Sequence, residues 1–338
     1  WGFGDYHMKP WWDKINTMVW TTLDSLPILP QAIDFAPKIQ HYYVWASFAE
    51  KAMRELGYDH VKTLRGSLDT SVFSRLDDDN RKNLRANFGL RDEFIIGFVF
   101  RNQLRKSVPN LLDGFKIFKE QNPNCKLLLH THWGEGWDIP RLLEEKKIDQ
   151  SSVITTYVCN QCGNYDIRPF SGQEQKCKYC GGDKSLNTTN TAKGVTDGQL
   201  NEIYNLMDVY CHPFTSGGQE IPIQEAKLTE LITLVTDYSC GEDSCTPDSG
   251  GIPLKWSEYR EPGTQFVKAS TCSTDIATRL NKVYNMDKSS KRKREKLSRQ
   301  WVIDNFSIEV IGKKLEDIID NMPEIEYDFN IDDKIEYN

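Results

Sequence analysis

The run from Pro213 to Ala226, Pro-Phe-Thr-Ser-Gly-Gly-Gln-Glu-Ile-Pro-Ile-Gln-Glu-Ala, holds residue types that can receive a phosphate. An apolar strand from Asp208 to His212 feeds a loop containing Gly217 and Gly218, and that loop opens a helix with an acid near its start. Backbone N–H groups at such a helix start point outward, the helix dipole adds positive potential, and glycine lets the chain approach an anion closely. The same string also suits an ordinary strand-to-helix turn of an α/β domain.

A second chemical pattern lies in the cysteines. There are nine, an odd number, so they cannot all pair within one chain. Four form two Cys-x-x-Cys turns, Cys159 with Cys162 and Cys177 with Cys180, fourteen residues apart and each followed by glycine. Two intervening residues let one tight turn offer both sulfurs to a tetrahedral ion, and the glycine eases the left-handed turn that follows. The spacing predicts a structural Zn²⁺ rather than two redox pairs. With four protein ligands, that metal has no open position for catalysis. Cys125, Cys211, Cys240, Cys245 and Cys272 lie beside apolar strands or in loops, and most are expected to be buried, inert thiols.

The elements that must carry these residues follow from periodicity. Buried strands are expected at Phe94 to Phe100, Lys126 to His130, Val153 to Tyr157, Val209 to His212 and Leu231 to Thr236. Leu111, Leu112, Phe115 and Phe118 fill one face of a helix, and Thr196-Asp197 starts another with Leu200, Ile203, Tyr204 and Met207 inward. Such alternation means a parallel, doubly wound sheet. Residues 158–191 interrupt it with a turn-rich, aliphatic-poor ribbon. Before residue 93 the same grammar is less complete: a strand at Thr17 to Thr22, a helix from Tyr43 to Leu56 stopped by Gly57, and a strand at Val61 to Leu64. No Gly-rich phosphate loop opens the chain, and Trp1 to Gly4 do not look like the start of a domain.

Length and composition bound the reading. A chain of 338 residues has room for two domains with separate cores. Its 38 % hydrophobic and 27 % charged content is that of a soluble globular protein. No signal-like segment opens it and no stretch approaches the ~20 apolar residues of a membrane span, so a soluble, cytoplasmic protein is expected. A net charge of −7 argues against wholesale coating of a polyanion, though not against a local basic groove. Lys291 to Arg294 is expected on a solvated helix face, and the acidic tail after Met322 as a solvated end. A dinucleotide-dependent oxidoreductase is disfavoured, since no Gly-x-Gly-x-x-Gly follows a strand with an acid about twenty residues later.

Five short motifs in order resemble the GT-B glycosyltransferases of the large retaining group known as family 4. They are Ala46 to Ala49 ahead of a helix ending at Gly57; Arg65 to Asp69 followed by Phe73; Gly97 to Arg101 followed by Lys106; Pro213 to Ala226; and Asn305 to Leu315. The similarity runs from about Trp20 to Ile319 and skips the cysteine ribbon. It implies two Rossmann-like domains with a nucleotide-sugar, UDP- or GDP-linked, between them, and transfer of the sugar to a hydroxyl acceptor with retention. The expected division is an acceptor-side domain at 1–92, a donor-binding domain at 93–300 with the zinc ribbon at 158–191, a returning helix at 301–321 and the tail at 322–338.

The resemblance also assigns roles. Arg101 and Lys106, just after a strand, would stabilise the departing diphosphate. Glu225 would bond the ribose, and the backbone from Gly217 through Gly218 to Ile221 would meet the phosphates and the sugar. Two departures stand out. The family's first acid, eight residues before Glu225, is Gly217 here, and Glu220 is expected to take over its contact. The family opens with a strand and Gly-rich loop some tens of residues before the position of Trp1, so the first domain is expected to be abbreviated.

On the acceptor side Asp24 follows a strand where the family often places a cleft-facing residue, and His7 lies in the preceding loop. For each a structural or solvated role stands beside the chemical one. His130 and His132 flank a strand end facing the cleft. Lys176, Lys178, Lys184 and Arg168, interleaved with Tyr165, Phe170 and Tyr179, give the ribbon features of a nucleic-acid surface. Enzymes of this fold in bacteriophages glycosylate hydroxymethylated DNA bases. The acceptor is therefore expected to be either such a base, in a phage-infected host cytoplasm, or a glycan or small molecule. A catalytically silent relative that binds sugar-nucleotide or nucleic acid is the remaining reading.

Overall fold

Short apolar runs rich in β-branched and aromatic residues fall into parallel strands, and the order in which the chain lays them down creates one crevice. The computed structural model describes residues 6–190 and 192–325. Trp1 to Gly4 and the acidic tail from residue 326 on lie outside the described residues.

The first domain is a three-stranded parallel sheet, β1 (Met18–Thr21), β2 (His41–Val44) and β3 (Lys62–Thr63), in that order. The helix expected from Tyr43 starts later. His41 to Val44 alternates half-buried and buried residues with a period of two and pairs with β1, so it is a strand, and the helix covers Ser47–Glu55. Gly57, at φ 91°, ends it as expected.

The second domain is built on β4 (Phe94–Val99), β5 (Cys125–His130), β6 (Val153–Cys159), β7 (Tyr165–Pro169), β8 (Leu186–Thr188), β9 (Val209–His212), β10 (Thr233–Thr236) and β11 (Ile252–Leu254). Their order is β11-β10-β9-β4-β5-β6-β7. The strands from β11 to β6 are parallel, and β7 and β8 add antiparallel to the two edges of β6. Every residue of β6, β9 and β10 is buried, as in a sheet with both faces covered. The chain builds β4, β5 and β6 outward in one direction, then returns to lay β9 on the other side of β4. β4 and β9 are therefore neighbours from which the sheet is built in opposite directions, and the ends of such a pair are where sheets of this kind bind ligands. Close packing underlies this pair. A Cβ on Gly97, which stands opposite Tyr210, would lie 1.9 Å from the Met207 sulfur.

A final antiparallel pair, β12 (Trp256–Arg260) and β13 (Val267–Thr271), reaches back to the first domain through a bridge from Val267 to Leu26. Helix Lys288–Phe306 breaks at Ser307, whose hydroxyl caps Val310 N at 3.2 Å, and helix Ile308–Asp320 runs on toward the first domain. There Leu68 N bonds Phe306 O at 2.9 Å, and Asn16 reaches Pro323 O at 2.8 Å.

The basic run at Lys291 to Arg294 is not a solvated face. Only Lys293 is exposed; Arg292 pairs with Glu230 and Glu295, and Arg294 bonds the carbonyls of Gly250 and Gly251. Unsatisfied carbonyls and carboxylates on the neighbouring turns draw these guanidiniums inward. No helix among the described residues is long and apolar enough to cross a membrane.

Candidate active site

Loop 100–107 after β4 and loop 213–220 after β9 meet at the crevice, joined by Thr215 N donating to Arg105 O at 2.8 Å. Ser107 turns the first loop into helix Val108–Gln121 in a left-handed conformation, φ 44°. Glu220 sits directly before helix Ile221–Leu228 and is 3 % exposed. Lys106 and Arg105 both donate to its carboxylate, and His212 Nε2 lies 3.1 Å from Oε2. Burial opposes its ionisation. The Lys106 ammonium, the His212 ring and the Arg105 guanidinium outweigh that and hold it far below the usual carboxylate range.

His212 is fully buried, and burial lowers its pKa to about 4, so the ring is neutral. Its Nδ1 lies 2.9 Å from the Tyr210 hydroxyl, whose single proton has both that nitrogen and the Val99 carbonyl, 3.0 Å away, as acceptors. A neutral ring carries one N–H, and facing a carboxylate that proton belongs on Nε2. Tyr210 and His212 thus orient Glu220 from beneath.

Five residues along the same helix, Glu225 accepts from the Tyr204 hydroxyl at 2.6 Å. Burial raises its pKa to about 6, with the Tyr204 bond pulling the other way. Its other oxygen makes no hydrogen bond among the described residues.

Gly217 and Gly218 give the loop its close approaches. A Cβ on Gly217 would stand 2.8 Å from Glu220, and one on Gly218 would stand 2.4 Å from both Asp24 and Thr22 of the first domain. Gln219 makes a two-point bond to Gly66, accepting from its N–H at 3.0 Å and donating to its carbonyl at 3.1 Å. Ser216 and Ser25 hydroxyls lie 3.0 Å apart, and Asp243 caps helix Ser47–Glu55 from the other domain by accepting from Ser47 N at 3.0 Å. The second loop is stitched to the first domain along its length.

Lys106, Gly217, Gly218, Glu220, Ile221 and Glu225 are thus brought together. Ile221 is exposed as the first helical residue. Arg101 is not part of the cluster. It is exposed at the end of β4, with Glu135 3.9 Å away, and Arg105 stands beside Lys106 instead. Asp24 is exposed at the mouth of a cavity of about 690 Å³ between the first domain and β13. His7 packs edge-on against Phe35. His130 is buried against the Thr156 hydroxyl at 3.0 Å, with a pKa lowered to about 4 by burial. His132 accepts from Gly134 N.

Sequence reasoning passed over Arg105, His212, Tyr204 and Lys268. Arg105 adjoins Lys106, and His212 is the single polar ring in an otherwise apolar strand end. Lys268 comes from a hairpin far along the chain, and no local pattern marks it.

The four ribbon cysteines gather with their sulfurs within 4.8 Å of one another. Cys159 and Cys180 sulfurs are 3.7 Å apart, and those of Cys162 and Cys177 3.8 Å. A tetrahedral ion with Zn–S bonds of about 2.3 Å sets sulfurs about 3.8 Å apart. Backbone N–H groups of Gln161 and Cys162 point at the Cys159 sulfur and that of Tyr179 at Cys177, as negatively charged ligands require. The donor set fits Zn²⁺. The interleaved aromatics expected on a nucleic-acid surface divide otherwise. Tyr165 is buried and bonds Glu202 at 2.6 Å, and Phe170 stacks on Trp133 at 4.4 Å, because β7 packs onto the sheet. Lys178 is paired with Asp166 at 2.7 Å, and Arg168 lies over the Tyr157 ring. Lys176, Tyr179 and Lys184 remain exposed.

No protein-family model matches the chain, and no curated protein matches it in sequence. Solved structures do match. Anabaena HepE, in complex with UDP and glucose, aligns with a TM-score of 0.60 at 11 % identity, over 86 % of this chain and 66 % of its own. Sucrose-phosphate synthase from Thermosynechococcus elongatus gives 0.59 at 15 % identity, over 87 % and 62 %. A glycosyltransferase from Rickettsia africae gives 0.62 at 12 % identity, over 89 % and 70 %. This chain spans slightly less than two thirds of the length of the first two. At these identities the likeness is one of fold: two Rossmann-like domains in the GT-B arrangement of these glycosyltransferases.

Proposed function

We propose that the protein is a glycosyltransferase that moves a sugar from a UDP- or GDP-linked donor to an acceptor hydroxyl with retention. The observation that carries this reading is the convergence of a glycine loop, a helix N-terminus, two cations and Glu225 at one crevice between Rossmann-like domains. A structural neighbour, HepE, is in complex with UDP and glucose at 11 % identity.

The residues divide the work by exposure. The Arg105 side chain is 42 % exposed and can turn to the diphosphate, while Lys106, at 4 %, stays on Glu220 and adds its field. Arg101, exposed beside Glu135 outside the cluster, would have to swing along the loop to add a further cation. The N–H groups from Gly217 to Ile221 receive phosphate and sugar oxygens. Glu220, set by His212, takes the sugar contact that Gly217 cannot make, and Glu225 accepts from a ribose hydroxyl. The bond from the anomeric carbon to the diphosphate oxygen breaks, and the acceptor oxygen bonds that carbon on the same face. The acceptor proton passes to the departing diphosphate. Asp24 orients the acceptor hydroxyl. The four cysteines hold one structural Zn²⁺ away from these steps.

A saccharide or other small acceptor suits a cavity of this size. A hydroxymethylated base in DNA is the second reading, favoured by the exposed Lys176, Tyr179 and Lys184. The test incubates zinc-loaded protein with UDP-glucose or GDP-mannose, a saccharide pool and DNA containing hydroxymethylcytosine. Nucleotide release and adducts are followed by mass spectrometry, with Arg105→Ala and Glu225→Ala as controls. Glycosylated saccharide supports the first reading and a glycosylated nucleoside the second. Tight nucleotide binding with no release in any arm would leave a silent binding protein and refute transfer.

A further inference from the structure

The cavity beside the crevice has chemistry of its own. Its floor is apolar, lined by Ile28, Leu29, Ala32, Phe35 and Phe266, and its 690 Å³ is ordinary for a small-molecule site. One wall carries Lys268 on β13, only 7 % exposed. Its ammonium donates to Ser25 Oγ at 2.6 Å and Ser216 Oγ at 2.5 Å. Among the described residues no carboxylate lies within ion-pair distance. Asp24 and Glu261 line the same cavity, but Asp24 is exposed and Glu261 accepts from the Thr264 hydroxyl at 2.5 Å.

Glu261 and Asp24 favour the charge only from beyond ion-pair distance, so the buried cation is only partly compensated, and the hydrogen-bond count shows what would complete it. The ammonium has three protons and gives two to the serines. Ser25 and Ser216 share one hydroxyl proton between them at 3.0 Å, which leaves the other hydroxyl proton over. The ammonium also lies 5.3 Å from the centre of the Phe266 ring, a contact that takes no hydrogen bond in the usual sense and brings no anion, so one N–H and one O–H are left without a hydrogen-bond acceptor in the same corner. Two donors and a positive charge beside an apolar floor match an anion attached to a flat or aliphatic body.

Building on the proposed sugar transfer, we propose that the acceptor is a small amphipathic molecule bearing an anionic group, a phosphate, carboxylate or sulfonate, which Lys268 and the Ser25–Ser216 pair hold while its apolar body fills the cavity. Lys268 is then a specificity-determining residue; Arg105 lines the same cavity from the donor side, where it is assigned to the diphosphate.

The test needs no turnover. Anilinonaphthalene sulfonate, an anion on an apolar body, and phenylnaphthylamine, its uncharged counterpart, are titrated by fluorescence into the full chain with and without UDP. The sulfonate is expected to bind at one saturable site, undisplaced by UDP. Lys268→Met should weaken it about tenfold or more, the value of a charge-assisted hydrogen bond, with Lys268→Arg restoring most of the loss. Phenylnaphthylamine should change less than about twofold. Equal loss of both probes, no loss of either, or displacement of the sulfonate by UDP would overturn the assignment. Thermal melts confirm that both variants fold. Nucleotide release from UDP-glucose, measured separately, bears on the transfer reading alone, so the two can fail independently.

Discussion

Replacing Glu225 by Gln separates what the buried carboxylate costs the fold from what it does for the donor. Burial moves its pKa from an ordinary 4.5 to about 6, against the pull of the Tyr204 hydroxyl. The folded protein binds that proton more tightly than the unfolded chain does. The associated stability is fully present below pH 4.5 and lost as the pH rises through about 6. At pH 7.5 the wild type therefore carries the whole penalty, about 2 kcal/mol by linkage and nearer 1 after allowing for partial solvent contact. Gln keeps the shape and still accepts from Tyr204, but has no charge to desolvate. Glu225→Gln should melt higher than wild type by roughly 2 to 6 °C at pH 7.5, with the gap closing as the pH falls to 4.5. Calorimetric titration with UDP should show about tenfold weaker binding for the variant, through loss of the charged ribose acceptor. In the wild type, UDP affinity should fall as the pH drops through 6. A gap that stays the same at all pH values, or a variant less stable at pH 7.5, would refute the reasoning.

Two further outcomes test the frame and the metal. Asp208 accepts from Arg81 at 2.9 Å and Arg85 at 3.0 Å, and also from Ile95 N at 2.8 Å. Asp208→Asn would leave two guanidiniums short of their counter-charge, and urea unfolding should show a loss of about 3 kcal/mol. Burial raises the Asp208 pKa but the two arginines hold it below 3.8, so its contribution is present above that pH and lost as the pH falls further. Elemental analysis should find one zinc per chain. Cys162→Ala should speed proteolytic nicking between residues 160 and 185 about tenfold or more, with UDP affinity changing less than about threefold.

The legible parts of this chain are those in which local pattern and tertiary role coincide. Val209 to His212 lies where the apolar run places it, and Thr196 with Gln199 forms a full capping box at the start of helix Asp197–Asn205. The cysteine turns are equally plain, because spacing alone dictates their geometry. Tyr43 was misleading because aromatic residues serve strands and helices alike, and pairing with β1 decided between them. Arg101 and Arg105 are the same residue type four apart on one loop. Which of them faces Glu220 depends on the path of that loop. The Lys268 site joins a strand end in the first domain, the second loop and a late hairpin, and no single stretch of sequence contains it.

The insertion that carries the cysteines also changes the border of the sheet. Without β7, the outer edge of β6 would offer Val-Ile-Thr-Thr-Tyr-Val, uncharged, proline-free and rich in β-branched residues, to any other extended chain. Strands of that composition with open edges template aggregation. β7 covers that edge over five residue pairs, from Ile154 with Pro169 to Val158 with Tyr165, and presents Arg168 and Pro169 in its place. Proline cannot donate to a further strand, so the border is harder to extend there. The metal turn sits where β6 ends and β7 begins. An ion held by those four sulfurs would tie down the start of the strand that guards this border.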